Sequence, residues 1–252
     1  MLNKILETKK EEVARLVLPP EQFVIPKSFY NALTNKRNEV ALIAEVKKAS
    51  PSKGIIKEYF DPMTIAKEYE FGGADAISVL TDRQYFQGSR EYIPLIKKEV
   101  HLPVLRKEFI IDECQILESK RLGADAILLI AEAIEPKKLA EFYHYAVELG
   151  LDCLVEVHSI RALEGILSIF TPQIIGVNNR NLQTFEVTLM QTEEIATSIP
   201  EGSLFVSESG IFNYDDIKRV RDAGADAVLV GESLMRAETP AKGILTLFGA
   251  EQ

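Results

Sequence analysis

Short apolar runs alternate with longer amphipathic stretches along most of this chain. Each apolar run has the length of a strand buried on both faces, and charged or turn-forming residues bound it. The stretches between the runs carry apolar residues at helical spacing, as Leu139, Phe142 and Ala146 do within Pro136–Leu149. The pattern predicts eight strands: Val40–Lys47, Ala76–Thr81, Pro103–Phe109, Ala126–Ala131, Cys153–His158, Ile174–Asn179, Leu204–Ser209 and Ala227–Gly231.

A four-residue repeat supports the same alternation. The sequence Gly-Ala-Asp-Ala begins at Gly73, Gly123 and Gly224, each time between a charged amphipathic stretch and an apolar run. A glycine that ends a helix, followed by a buried strand, explains this order. The copies start 50 and 101 residues apart. These separations are close to two and four times the roughly 25 residues of one strand–helix unit in a barrel.

Eight strands alternating with helices, without a long polar linker, predict an α/β fold of the closed (β/α)8 TIM-barrel type. The expected organisation is one domain over residues 1–252, with residues 1–39 as an N-terminal helical extension and residues 40–252 as the barrel. An open doubly wound sheet is the alternative arrangement of the same elements.

The N-terminal extension has a helical pattern of its own. We expect a helix that the Pro19–Pro20 pair ends. Two roles are compatible with the pattern: a plug on one end of the barrel, or a segment that contacts a substrate. The apolar positions that share one face of this helix are Leu2, Ile5, Leu6, Val13, Leu16 and Val17.

Charged residues occupy strand positions that a barrel core would fill with apolar side chains. In the first strand, Glu45 and Lys47 are two residues apart and therefore share a face, and Val46 faces the other way. With Leu42, Ala44 and Val46 against the helices, the charged pair points into the barrel mouth. Near the ends of the third, fifth, sixth and seventh strands, the corresponding polar residues are Lys107, Glu156, Asn178, Arg180 and Glu208.

These polar residues are expected to converge. The carboxyl ends of barrel strands meet at the face where enzymes of this fold keep their active sites. Ionised groups held away from water cost several kcal/mol each unless they are paired. A structural ion-pair network would explain any one of them. Together, the four residues favour an active site, because apolar side chains would fill the same space at lower cost: Glu45, Lys47, Lys107 and Glu156.

Small residues follow the last two strands. Ser209 and Gly210 come after the seventh strand, and Gly231 and Glu232 come after the eighth. Small side chains let backbone N–H groups approach an anion, and loops at these two places are a frequent phosphate site in barrels. The sequence therefore predicts a phosphate-binding site formed by these two turns.

The overall charge limits the partners. Lys and Arg number 29 against 38 Asp and Glu, and the net charge of −9 argues against nucleic acid or an anionic membrane as a partner. Apolar runs are shorter than the ~18 residues of a membrane span, and the charged N-terminus is unlike a signal peptide. We expect a cytoplasmic monomer that acts on a small phosphorylated molecule. His158 is expected to be a rim residue, and no metal site is expected, because the histidines, Cys114 and Cys153 lack ligand spacing.

Seven segments, in order and at matching spacing, resemble the indole-3-glycerol phosphate synthase family. The resemblance covers essentially the whole chain, including the extension. One difference is Glu108, where the family often has aspartate, although the preceding Lys107 is retained. The segments are Ala44–Gly54, Ser78–Asp82, Val104–Ile110, Leu154–His158, Ile175–Leu182, Val206–Ile211 and Val230–Met235.

The resemblance implies a carboxy-lyase of tryptophan biosynthesis. Members of this family convert 1-(2-carboxyphenylamino)-1-deoxyribulose 5-phosphate to indole-3-glycerol phosphate, with release of carbon dioxide and water. The steps need proton donors and a base, and no cofactor is implied. By motif, Lys107 is the general acid of ring closure, Glu156 is the acid–base partner in dehydration, and Lys47 is a substrate contact and second acid.

The same resemblance implies supporting roles for other residues. Glu45 and Asn178 orient the reacting groups, and backbone amides at Gly210, Gly231 and Glu232 hold the phosphate. Phe86, after the second strand, is placed to stack on an aromatic substrate. The implied substrate contacts are Ser50, Phe86, Arg180, Glu208 and Ser209.

Two lysines crowded into one barrel mouth are expected to have lowered pKa values, near the working pH of a general acid. Three other functions remain open at this point. One is phosphoribosylanthranilate isomerase, whose family has a cysteine in place of the Glu45/Lys47 pair and an aspartate in place of Asn178. The second is a Schiff-base aldolase that uses a barrel lysine. The third is a sugar-phosphate binding protein without turnover.

Overall fold

The structure is a computed structural model that describes residues 1–181, 184 and 186–250. Eight parallel strands follow one another around a closed barrel, in which the last strand pairs with the first. The predicted (β/α)8 barrel is therefore confirmed, and an open sheet is excluded. The strands are β1 (Ala41–Val46), β2 (Ala76–Leu80), β3 (Val104–Lys107), β4 (Ala126–Ile130), β5 (Asp152–Val157), β6 (Ile174–Asn178), β7 (Leu204–Glu208) and β8 (Ala227–Val230).

Helices connect the strands and cover the outside of the barrel. A small hairpin, Ala49–Ser50 with Gly54–Ile55, follows β1, and a 3-10 turn, Ala131–Ala133, follows β4. Among the described residues, no helix combines the length and apolar character needed to cross a bilayer. The α-helices described are α1 (Leu2–Val13), α2 (Phe29–Thr34), α3 (Pro62–Gly72), α4 (Arg83–Phe86), α5 (Tyr92–Glu99), α6 (Glu113–Leu122), α7 (Pro136–Glu148), α8 (Ile160–Leu167), α9 (Met190–Ala196), α10 (Tyr214–Asp222), α11 (Glu232–Arg236) and α12 (Pro240–Leu247).

The predicted strands extend one or two residues past the observed ones at their carboxyl ends. Lys47, His158 and Ser209, for example, lie just beyond β1, β5 and β7. At these points the backbone leaves the hydrogen-bonded ladder and turns toward the next helix. Five of the predicted site residues still lie within the observed strands: Glu45, Lys107, Glu156, Asn178 and Glu208.

Side chains alternate across the barrel wall as the pattern predicts. Leu42, Ala44 and Val46 are fully or almost fully buried in the outer core, between the strands and the helices. Ala41 and Ile43 belong to a second core inside the barrel. Since the period is two, Glu45 must point inward, and its register partner is Ser78 of β2.

The repeated aspartates have a structural role at the amino-terminal end of the barrel. Asp75 accepts a hydrogen bond from the backbone N–H of Leu42 at 2.8 Å, and Asp125 accepts one from Val104 at 2.8 Å. Asp226 accepts the N–H of Phe205 at 2.9 Å. Each carboxylate thus satisfies a donor at the start of the neighbouring strand, which would otherwise be buried without a partner.

The N-terminal extension reaches both ends of the barrel. In α2, Phe29 and Leu33 are buried against the inner core near the strand starts, so this helix plugs the amino-terminal end. The first helix lies at the carboxyl-terminal mouth, where Ile5 lines a cavity. The expected plug is therefore present in α2, and contact of α1 with a substrate stays a prediction that its place at the cavity supports. The expected length of α1 is wrong, because the helix ends at Val13, and Val17 is 75% exposed.

Candidate active site

A cavity opens at the carboxyl-terminal end of the barrel, beneath α1. Twelve of the thirteen residues that the sequence singles out line this cavity. The thirteenth, Glu208, is completely buried beneath its floor and contacts Lys107. The twelve are Glu45, Lys47, Ser50, Phe86, Lys107, Glu156, Asn178, Arg180, Ser209, Gly210, Gly231 and Glu232.

Lys107 lies at the centre of the charged residues. Its Nζ is 2.6 Å from Glu208 Oε2, 3.5 Å from Glu156 Oε2 and 3.8 Å from Glu45 Oε1. The three carboxylates come from β7, β5 and β1, so the closed barrel brings together side chains that are distant in sequence. After the role proposed for it below, we name the group of buried and half-buried ionisable residues on the cavity floor the catalytic cluster: Glu45, Lys47, Lys107, Glu156 and Glu208.

The space for this cluster depends on two glycines. A Cβ at Gly176 would lie 2.3 Å from Glu208 Oε1, and a Cβ at Gly231 would lie 2.4 Å from Glu45 Oε2. Either contact is too short for real atoms, so any larger residue would displace a carboxylate. Gly231 is thus required beside the ion pair of Glu45 with Lys47, in addition to its place in the turn after β8.

The expectation of lowered lysine pKa values is wrong for Lys107. Burial by itself lowers the pKa of this ammonium, but Glu208, Glu156 and Glu45 outweigh burial and raise the pKa well above its ordinary value. Lys107 is therefore protonated throughout the physiological pH range. The sequence indicated a crowded lysine, but it did not show that three carboxylates would surround one ammonium.

The two deepest carboxyl groups differ in their proton affinity. Burial raises the pKa of Glu208 to about 8; Lys107 opposes this rise and Glu156 adds to it. Burial also disfavours ionised Glu156, but Lys107, His158 and the amide of Asn178 outweigh it, and the pKa of Glu156 is lowered. At neutral pH one proton therefore resides on Glu208, and Glu156 is ionised.

Hydrogen bonding agrees with a proton between these two groups. Glu156 Oε2 and Glu208 Oε1 are buried and have no donor among the described residues. A proton on Glu208 gives the pair one hydrogen bond, which satisfies both atoms. The same proton balances the catalytic cluster, because it leaves two ionised carboxylates beside the ammonium groups of Lys47 and Lys107.

The turns after β7 and β8 lie next to each other on one side of the cavity. Ser209 and Gly210 both have positive φ angles, 67° and 79°, and a Cβ at Gly210 would lie 2.6 Å from Val187. The hydroxyl of Ser233, in α11 directly after the second turn, donates to the carbonyl of Ile211 in the first turn at 3.1 Å. The two turns are therefore joined, and phosphate binding by them stays a prediction.

Glu232 begins α11, and its negatively charged side chain pairs with cations and is not suited to bind an anion. Its carboxylate accepts from Arg236 at 3.1 Å and lies 3.7 Å from Lys53. The backbone N–H of Glu232, at the positive end of a helix dipole, is the part of this residue suited to an anion.

An aromatic and apolar wall faces the charged floor. The rings of Phe86 and Phe109 lie 6.2 Å apart at 36°, and Ile5 of α1 lines the same cavity. Phe86 is held by Asp82, which accepts its backbone N–H at 3.1 Å and caps α4. Arg180 lies on the opposite rim, 3.5 Å from the hydroxyl of Ser52. One resembling segment ends at Leu182, which lies outside the described residues.

Sequence reasoning missed three polar residues that line the cavity: Ser52, Glu108 and His158. His158 is buried between Glu132 and Glu156, with side-chain exposure of 7%, and is therefore not the rim residue expected. A signal was present: His158 follows Glu156 by two residues, as Lys47 follows Glu45, so each pair shares a face of its strand. Phe109 and the first residues of α1 were also missed, because apolar residues carry no mark that separates a cavity wall from a core.

The sequence matches the family described as indole-3-glycerol phosphate synthase over residues 2–247. It is 62% identical over 252 residues to the indole-3-glycerol phosphate synthase of Priestia megaterium, covering 100% of this chain and 99% of that protein. The enzyme of the same name from Halalkalibacterium halodurans is 58% identical over 251 residues, covering 100% and 98%. That from Bacillus pumilus is 57% identical over 249 residues, covering 99% and 100%.

The match extends over the barrel, α1 and every element that contributes to the catalytic cluster. The resemblance seen in the seven segments is thereby confirmed, and the isomerase, aldolase and binding-protein alternatives are set aside. The chain belongs to the indole-3-glycerol phosphate synthase family, and it is a carboxy-lyase of tryptophan biosynthesis that closes a ring with decarboxylation of a small phosphorylated substrate.

Proposed function

We propose that the catalytic cluster carries out the chemical steps that convert 1-(2-carboxyphenylamino)-1-deoxyribulose 5-phosphate to indole-3-glycerol phosphate. The observation that carries this proposal is the pair of carboxyl groups beside Lys107, one with a raised pKa and one with a lowered pKa. Two titratable groups whose surroundings push their pKa values apart form an acid and a base in one site. Ring closure followed by dehydration needs both.

Lys107 is the proposed general acid of ring closure. As the aromatic ring attacks the ketone carbon, a carbon–carbon bond forms and the carbonyl oxygen gains negative charge. An ammonium fixed in a water-poor cavity stabilises this charge and transfers a proton to the oxygen, because an alkoxide is a stronger base than an amine. Glu208 carries a proton at neutral pH and lies 2.6 Å from Lys107 Nζ, so it is placed to return a proton to Lys107.

Glu156 is the proposed base of the later steps. After ring closure, carbon dioxide leaves and its electron pair restores the aromatic ring. Glu156 then accepts a proton from the new ring while Lys47 protonates the departing hydroxyl group, which leaves as water. A buried carboxylate with a lowered pKa remains ionised and available for this transfer at neutral pH.

Two further residues fix the geometry of these groups. The carboxylate of Glu45 forms an ion pair with Lys47, and the amide of Asn178 donates to Glu156 Oε1 at 3.2 Å. Catalytic efficiency depends on holding reacting groups close to one geometry. We assign Glu45 and Asn178 this orienting role.

The substrate phosphate is proposed to bind the turns after β7 and β8. Backbone N–H groups at Gly210, Gly231 and Glu232 are the proposed donors, because the two turns are joined and α11 starts there. The proposed contacts to the rest of the substrate are the ring of Phe86 for stacking, Arg180 and Ser50 for the carboxylate, and Ser209 for a polar group near the reacting carbon. Glu208, predicted as a further contact, lies beneath the cavity floor and acts in this scheme through Lys107.

The test is direct incubation with the carboxyphenylamino substrate while indole fluorescence is followed. We expect turnover by the unmodified chain, and loss of at least ~100-fold in kcat for Lys107→Met, the low end for general acid catalysis. Borohydride added during turnover should trap no covalent adduct on Lys107 or Lys47. Tight binding without turnover would contradict the proposal.

We further propose that the protein works as a monomer in the cytoplasm. Each group assigned above comes from one chain, and α1 of the same chain covers the cavity. Sedimentation at assay concentration tests the oligomeric state: a dimer whose dissociation lowers kcat would contradict a monomeric site.

A further inference from the structure

The imidazole of His158 lies in the cavity wall beside the proposed base. Its Nε2 is 3.2 Å from Glu156 Oε1, and its Nδ1 is 3.1 Å from Glu132 Oε2. The ring therefore spans two carboxylates, one on the same strand and one in the 3-10 turn after β4. None of the roles assigned above uses either His158 or Glu132.

Glu132 is held in place by more than the imidazole. Its Oε1 accepts the backbone N–H of His158 at 2.8 Å and lies 3.5 Å from the hydroxyl of Ser159. From the other side, the amide of Gln191 donates to the carbonyl oxygen of His158 at 2.7 Å. Both the backbone and the ring of His158 are thus fixed by neighbouring elements. The restrained ring holds its Nε2 next to Oε1 of Glu156.

Acidic groups surround this ring. Burial lowers the pKa of His158, but the hydrogen bond to Glu132 and the charges of Glu156 and Glu132 outweigh burial and raise it. The raised pKa favours the imidazolium form, whose positive charge faces Glu132 on one side and Glu156 on the other. Glu156 in turn faces Lys107 and Glu208 across the cavity floor, and Asn178 from β6.

We propose that His158, held by Glu132, is a positioning residue that keeps Glu156 ionised and correctly oriented for its role as base. The proposal rests on the proposed function of Glu156. His158 forms no bond to the substrate in this scheme. It acts through its positive charge and its fixed position, in the way that the third member of a catalytic triad acts on its partner.

The test compares pH profiles of kcat for His158→Gln and the unmodified enzyme. Gln keeps a donor near Glu156 and removes the charge. An opposite charge within about 4–6 Å changes a carboxyl pKa by roughly 1–3 units. We expect the acidic limb of kcat to move to higher pH by at least about one unit, while KM stays within about threefold. Glu132→Gln should move the same limb in the same direction by less.

His101→Asn is the matched control. His101 also faces a glutamate, since its Nδ1 is 3.6 Å from Glu70 Oε1, but its side chain is 94% exposed and lies outside the cavity. Its pH profile should coincide with that of the unmodified enzyme. If His158→Gln lowers kcat equally at every pH, or raises KM alone, the positioning role is wrong.

A measurement that does not depend on turnover keeps the proposal testable. Nuclear magnetic resonance titration of the free enzyme should show His158 titrating above its ordinary value of about 6.5, and Glu132→Gln should lower that pKa. A His158 that titrates below 6.5 would overturn the proposal even if the enzyme is fully active. By contrast, a Glu156→Gln variant that retains full activity would contradict the proposed role of Glu156 as base, whatever the pKa of His158.

Discussion

Two groups of buried charges lie at the same end of the barrel, and they differ in how completely their charges are paired. One is the catalytic cluster. The other lies under α1, and we name it the latch cluster. In the latch cluster, every carboxylate has a cationic nitrogen within 2.9 Å. In the catalytic cluster, Lys107 is 3.5 Å from Glu156, the proposed base. The members of the latch cluster are Lys9, Asp82, Arg106, Glu108 and Glu118, and the partly exposed Arg90 pairs with Glu118 at its edge, which gives three cations for three carboxylates.

The latch cluster joins the first helix to the barrel. Lys9 is 1% exposed, and its Nζ lies 2.7 Å from Asp82 and 2.9 Å from Glu108. Arg106, inside the same network, lies 2.6 Å from Glu118. Each carboxylate of this cluster is thus held by a cation of the protein itself. The buried charges of this cluster therefore attach α1 to the barrel.

The catalytic cluster has three carboxyl groups for two ammonium groups, and it faces a cavity. It balances its charge only by keeping a proton on Glu208. A carboxyl group with a pKa of about 8 releases its proton near neutral pH, whereas a fully paired carboxylate carries no proton to transfer. The difference indicates that incomplete pairing beside a cavity, and not buried charge alone, distinguishes a reactive site from a structural one.

The strongest test of this contrast is Lys107→Met, which keeps the side-chain volume and removes the charge. We expect kcat to fall by about 10²- to 10⁴-fold, the range of general acid catalysis. Far-ultraviolet circular dichroism should be unchanged, because the remaining carboxyl groups are able to take up protons. A variant within threefold of the unmodified enzyme would remove Lys107 from the acid role.

The same substitution in the latch cluster should have the opposite outcome. Lys9→Met leaves Asp82 and Glu108 buried without their cation, and breaking a buried pair costs about 3 kcal/mol or more. We expect the free energy of unfolding, measured by urea denaturation, to fall by about that amount. kcat should stay within threefold, whereas KM should rise because Asp82 caps the helix that carries Phe86. A large loss of kcat would show that the two clusters are not separable.

The catalytic cluster was largely predictable from the sequence, whereas the latch cluster was not. Glu45 and Lys47 follow the apolar run Val40–Ala44 and alternate with Val46, so the local pattern alone identifies them as unusual. Lys9 lies in a helix among other charged residues and is indistinguishable in sequence from Lys10, whose side chain is 65% exposed. Its burial is decided by Asp82 and other distant partners, and no local pattern contains that information.

The proton on Glu208 was also beyond sequence reasoning. A strand position predicts which way Glu208 points, but the pKa depends on complete burial and on the distances to Lys107 and Glu156. The same limitation explains the wrong expectation for the pKa of Lys107. Similarly, Glu132, the partner of His158, lies in the turn after a different strand, so no local pattern predicts a raised pKa for this imidazole.

The pH dependence of the free energy of unfolding tests whether Glu208 in the catalytic cluster carries a proton. Glu208 has an ordinary pKa near 4.5 when unfolded and about 8 when folded. Between these values the folded state binds one proton more, so the free energy of unfolding falls as pH rises. Glu208→Gln removes this term, and its unfolding free energy should fall less between pH 5 and pH 8, by about 1 kcal/mol or more. Parallel curves from denaturant titrations would contradict a proton on Glu208.

The smallest expected effect, that of Phe86→Leu on KM, separates substrate binding by the aromatic wall from attachment of α1 by the latch cluster. Phe86→Leu keeps an apolar wall but removes an aromatic face, and a ring contact contributes about 0.5–1.5 kcal/mol. We expect KM to rise by about 2- to 12-fold, with kcat within twofold and the free energy of unfolding unchanged. Phe71→Leu, at a ring that is 88% exposed on α3, is the control and should alter neither KM nor the free energy of unfolding.

If Phe86→Leu reproduces the KM change of Lys9→Met without its loss of stability, the latch cluster affects binding through the aromatic wall. If Phe86→Leu leaves KM unchanged, Phe86 is only a packing residue and the KM change of Lys9→Met must arise from α1 itself.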